Sequence, residues 1–116
     1  MEVTVLKPGM STTHQKILQL VKNDQILVSE HGYNELADDD ILLKDILTSI
    51  SSSIVIEDYP DYFKGPCILL LQHDCNNRPI HVVWGIPLGK QSPAVIVTAY
   101  RPDPDRWNAN FKQRKK

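Results

Sequence analysis

The sequence predicts an α+β fold in which N-terminal helices pack on a four-stranded antiparallel β-meander. Apolar residues of the first half recur at helical spacing, whereas those after Ser53 gather into short β-branched runs. The separators between those runs are short enough for hairpin links. Helices that precede strands pack together on one face of the sheet.

Each element has its own signal. Val3 and Val5 alternate with polar residues and start a short strand that Pro8-Gly9 ends. Ser11, Thr12 and Thr13 offer caps for a helix running to about Lys22, with Ile17, Leu18 and Val21 on one side and Asn23-Asp24 as its stop. Gln25 to Ser29 reads as a short extended piece, and His31 to Ala37 as a turn or a single helical turn. Asp38-Asp39-Asp40 then opens the clearest helix, because carboxylates cap free amides and favour the positive end of the helix dipole. Ile41, Leu42, Ile46, Leu47 and Ile50 form its apolar stripe, and Ser51-Ser52-Ser53 ends it.

Four strand-like runs follow: Ile54 to Tyr59, Cys67 to His73, Pro79 to Ile86 and Ala94 to Arg101. A symmetric tight turn on Asn76-Asn77 would pair His73 with Ile80 and Gln72 with His81. That register puts Leu69, Leu71, Val82 and Trp84 on one face, where with Ile96 they form a core against Ile46 and Leu47. Whether His81 and Tyr100 share a face depends on the register across the Pro87 to Pro93 loop. Paired numbers with an odd sum bring them together.

Composition narrows the class. At 116 residues, 41% hydrophobic and 23% charged, the chain suits one globular core and disfavours a disordered tail, a collagen or a disulfide-dense miniprotein. No apolar run approaches the ~18 to 20 residues of a membrane span, so no membrane partner is expected. Met1 to Met10 lack the pattern of a secretory signal, and Cys67 and Cys75, roughly 26 Å apart along one extended run, cannot bridge. A cytoplasmic location with reduced thiols is the expectation. His73, Cys75 and His81 do not make a metal site in this register, since the two histidines point to opposite faces, and no metal or cofactor is expected. Charge is uneven: eleven acids face four lysines through Asp61, and nine basic residues face three acids beyond it. A basic second half is a site for anions, nucleic acid included, unless it only complements the acidic half within the fold.

Two of the four histidines stand out. His31 lies in Ser29-Glu30-His31-Gly32, and His81 interrupts the apolar run Ile80-His81-Val82-Val83-Trp84. A ring in mid-strand is either a satisfied structural group or, paired with a second imidazole in a cleft, a general base or acid on a phosphodiester. These segments, with Asp45-Ile46, Ile56-Glu57-Asp58-Tyr59-Pro60, Arg78-Pro79-Ile80-His81-Val82-Val83, Val97-Thr98-Ala99-Tyr100-Arg101-Pro102-Asp103 and Trp107, follow one another in order. Together they resemble a family of small, mostly bacterial and archaeal domains of unknown function, grouped with RelE/ParE-like toxins and barnase-like nuclease folds.

The resemblance covers roughly Ile26 to Trp107. It divides the single domain into an N-terminal extension with the first helix (1–24), a family-like core (25–107) and a basic tail (108–116). It implies N-terminal helices on a four-stranded antiparallel sheet and, more loosely, metal-independent RNA cleavage with a cognate antitoxin as partner. His81 or His31 would take the 2′-hydroxyl proton, Tyr100 would orient substrate or act as acid, and Arg101 would stabilise the developing charge. Arg78, Trp107, Lys112, Arg114, Lys115 and Lys116 would hold RNA through stacking and phosphate contacts. Two positions depart from the family pattern: Glu35 and Asp39 stand where arginines are usual, which reverses charge in a presumed phosphate-facing segment. The alternatives are an inactive relative that binds protein or nucleic acid, and a regulatory role in which the acidic helix is the contact surface.

Overall fold

The computed structural model describes residues 11–115, so the expected Val3 to Val5 strand and Lys116 lie outside the described residues. Three α-helices, α1 (Thr12–Lys22), α2 (Glu30–Asp38) and α3 (Leu43–Ser49), cover a sheet of five strands. These are β1 (Ile26–Val28), β2 (Ile54–Tyr59), β3 (Cys67–His73), β4 (Pro79–Gly85) and β5 (Ala94–Tyr100), in the spatial order β1-β5-β4-β3-β2. The architecture is α+β, as the sequence predicts. The sheet is mixed rather than all antiparallel, because the extended piece at Gln25 to Ser29 becomes β1 and pairs in parallel with β5. Backbone bonds from Ala94 N–H to the Gln25 carbonyl and from Ser29 N–H to the Ile96 carbonyl hold that fifth strand in place. β2 to β5 pair in sequence as antiparallel neighbours.

Helix ends account for the two largest departures. α1 starts on the Ser11 hydroxyl, which accepts from the His14 N–H, and ends in a Schellman turn. There Asp24 takes φ +58° and the Gln25 N–H reaches the Leu20 carbonyl. α2 repeats the device: the Ser29 hydroxyl accepts from Gly32 N–H, Asp40 takes φ +54°, and Ile41 N–H bonds the Leu36 carbonyl. The segment expected as a turn or a single helical turn, His31 to Ala37, is therefore part of a nine-residue helix. The three aspartates end it instead of opening the next one. α3 begins at Leu43 with no side-chain cap.

The β3–β4 register also differs from expectation by one residue. Asp74 to Arg78 forms a turn with a three-residue tip, in which the Asp74 carboxylate accepts from the Asn76 and Arg78 N–H groups and Asn77 takes φ +62°. An odd-length tip pairs His73 with Pro79 and Leu71 with His81. Ile68, Leu70, Val82 and Trp84 thus face the helices, where they form the core with Ile17, Ile46, Ile80 and Ile96. Leu69, Leu71 and His81 are buried on the opposite face, which the half-buried His73 shares. The two histidines share a face after all, but among the described residues no group of three potential ligands gathers to hold a metal ion. Gln72 is the buried polar member of the helix-side core, donating to the Ile46 carbonyl and accepting from the Trp84 indole. Among the described residues no helix is long and apolar enough to cross a membrane.

Candidate functional site

The face of the sheet away from the helices carries the site. His81 on β4 and Tyr100 on β5 are directly paired, so their side chains meet with the rings edge to face and centroids 5.4 Å apart. A bulge at Val83/Trp84 shifts the register further along the same pair of strands. It leaves this end of the ladder with the odd sum that sharing a face requires.

After β5 the chain doubles back over that face. Asp103 caps a turn, Trp107 bridges Arg114, and Phe111 takes φ +58° at the tip of the returning segment. The His81 Nε2 lies 2.8 Å from the Phe111 carbonyl. A carbonyl only accepts, so Nε2 carries the proton, and Nδ1 of the neutral ring accepts from the Tyr100 hydroxyl at 3.3 Å. Burial is the main influence on the ring and pushes its pKa down, which favours this neutral form. Burial likewise pushes Tyr100 up, so its phenol keeps its proton. The Trp107 ring stands edge-on to His81 with centroids 4.4 Å apart, and the Arg114 guanidinium lies over the same indole, 4.7 Å from the ring centroid.

Beside this floor opens a cleft of about 230 Å³ lined by Tyr100, Arg101, Asp103, Arg106, Trp107 and Arg114. Its arginines differ in how firmly they are held. Arg101 reaches Asp74 at 2.9 Å and the Pro79 and Asp40 carbonyls at 3.4 Å. Arg114 makes a two-point contact with Glu57 at 3.0 and 3.2 Å. The Arg106 side chain is 82% exposed, and among the described residues its one ion pair is a 4.0 Å contact with Asp103. The carboxylates respond accordingly: the Arg114 hydrogen bond is the main cause holding Glu57 low, and the Arg78 backbone N–H is the main cause for Asp74.

The structure gathers His81, Tyr100, Arg101, Trp107 and Arg114. It leaves His31 out. His31 is 67% exposed on α2 and its contact is Glu35, at 3.6 Å. Asp39 accepts from the Arg101 backbone N–H and ties the end of α2 to the end of β5. Arg78 shares Asp74 with Arg101 outside the cleft lining. Lys112 and Lys115 are exposed on the returning segment. Trp107, expected to stack on a base, is buried.

A family model described as a domain of unknown function, DUF4258, matches residues 28–101. The chain belongs to the DUF4258 family. No curated protein and no solved structure matches it. The DUF4258 match runs from the end of β1 through Arg101 and so includes His31, His81, Tyr100 and Arg101, while Trp107 and Arg114, which close the cleft, lie beyond it.

Sequence reasoning missed Asp74, Glu57 and Arg106. Asp74 was legible as an Asx turn in Asp74-Cys75-Asn76-Asn77-Arg78. Glu57 carries no local signal, since its partner Arg114 is 57 positions away.

Proposed function

We propose that this DUF4258 domain is a non-catalytic binding module for the phosphate backbone of RNA, held in the cleft between β5 and the returning C-terminal segment. The observation that carries the reading is the convergence of Arg101, Arg106 and Arg114 on one small cleft beside the Tyr100 hydroxyl. Each guanidinium has five N–H donors, and the contacts to Asp74, Asp103 and Glu57 leave donors free for phosphate oxygens. RNA is preferred over other phosphodiesters on the sequence resemblance to domains grouped with RelE/ParE-like toxins and barnase-like folds. Binding is preferred over cleavage because both His81 nitrogens are committed within the protein and no imidazole among the described residues lines the cleft.

One observation favours a second reading, a metal-independent ribonuclease. Tyr100 lines the cleft and its hydroxyl points its proton at His81 Nδ1, so a 2′-hydroxyl proton could pass to the Tyr100 oxygen as the phenolic proton moves to Nδ1. Incubation of the full chain with total RNA in EDTA separates the two. The binding reading expects retention of intact RNA. Cleavage that Tyr100→Phe abolishes would establish the ribonuclease instead.

A further inference from the structure

A second cleft, sharing no lining residue with the arginine cleft, lies toward the other end of the same sheet face. It holds about 380 Å³, within the ~300 to 1,000 Å³ range of small-molecule sites. Its floor is formed by Cys67, Val83, Gly85, Val95 and Val97 on β3, β4 and β5. Gly85 makes the depression: a Cβ there would sit 3.5 Å from both the Cys67 Cβ and a Val97 methyl, ordinary contact distances that a larger side chain would fill.

The rim is apolar and exposed. Tyr62 lines the cleft, neighbouring Phe63 is 70% exposed and Leu88, next to the lining residue Pro87, is 67% exposed. Exposed apolar surface of this kind around a concavity marks a binding site. Lys64 is the single charged side chain of the lining, and no carboxylate among the described residues forms an ion pair with it. Burial pushes the Cys67 thiol up, so the floor adds no negative charge.

We infer that this cleft binds a small monocarboxylate with an apolar tail, the carboxylate on Lys64 and the tail over Gly85 between Val83 and Val97. Charge complementarity sets the head group, and the lining sets the tail. A peptide suits the floor poorly. β3 and β4 are interior strands bonded on both sides, so the floor has no free strand edge with which to satisfy a peptide backbone.

Cys67 supplies the reporter. In a Cys75→Ser chain, alkylation of Cys67 by iodoacetamide is timed at pH 8.5 with increasing octanoate or 1-octanol. Octanoate is expected to slow the reaction several-fold and saturably, with 1-octanol needing a higher concentration for the same effect. Lys64→Gln, a surface change, should raise the half-protecting octanoate concentration about threefold, the size expected of one exposed ion pair. Gly85→Val should abolish protection while circular dichroism stays native. No protection by octanoate overturns the inference, as does equal protection by the alcohol or protection that survives Gly85→Val in a folded chain. Protection that instead rises with protein concentration, with dimers in sedimentation that Phe63→Ser disperses, would overturn it too and assign the cleft to a second copy of the chain.

Discussion

His81 shows how one residue can look catalytic in sequence and be bound into the fold in structure. Its Nε2 proton holds the Phe111 carbonyl, and its Nδ1 holds the Tyr100 hydroxyl. Replacement by alanine would leave both partners without their bonds in a buried place, so His81→Ala should lower stability by about 1 to 3 kcal/mol in denaturant melts. A pH effect follows with a definite sign. Burial is the main cause lowering the pKa of both His81 and His14 below the ordinary 6.5, so the unfolded chain takes up protons first as pH falls. The stabilisation is fully present above pH 6.5 and is lost as pH falls from there through the folded values. The melting temperature should therefore drop between pH 7.5 and pH 5, and His81→Gln should flatten that drop. The carboxylates act in a lower window, because Glu57 and Asp74 are held below their ordinary values and lose stabilisation only as pH falls below about 4.5.

At the level of elements, the legible features were those with strong local chemistry. The run of β-branched residues marked β2 to β5 to within a residue, and Ser11 with Asn23-Asp24 bounded α1. Two of the misread features turned on a residue with positive φ. Asp40 and Asn77 both adopt the left-handed conformation, and neither is glycine, so the sequence did not advertise a helix stop or a three-residue turn tip. Asp40 turned an expected helix start into a helix end, and Asn77 moved the register by one. β1 escaped notice as a sheet member because a three-residue strand is defined by its partner rather than by its own pattern. Asp40→Gly should stabilise the fold by about 0.5 to 1 kcal/mol in denaturant melts, since it relieves the left-handed residue at the end of α2. Asp40→Val should destabilise it. Leu70→Ala, in the helix-side core, should cost about 2 to 5 kcal/mol by the same measurement.

Across the whole molecule, the charge asymmetry read from the sequence becomes a division of labour. One ion pair joins the two parts, Glu57 with Arg114, while Asp39 and Asp40 reach Arg101 through backbone groups and the Arg101 guanidinium pairs with Asp74 of the second part. Part of the opposite charge thus complements itself within the fold. Arg106 stands outside this arrangement, exposed and loosely paired, which makes it the residue whose removal tests the cleft without loosening the returning segment. The most direct test is a fluorescence-anisotropy titration of a labelled single-stranded RNA, repeated over a range of salt concentrations with wild type and Arg106→Gln. If the arginine cleft holds the backbone, the wild type binds with a marked salt dependence. Arg106→Gln then weakens binding most at low salt, reducing the slope of log K against log salt by about 0.7, the value for one phosphate that the protein no longer neutralises. An unchanged slope, or no binding by the wild type even at low salt, would contradict the assignment of this cleft to RNA.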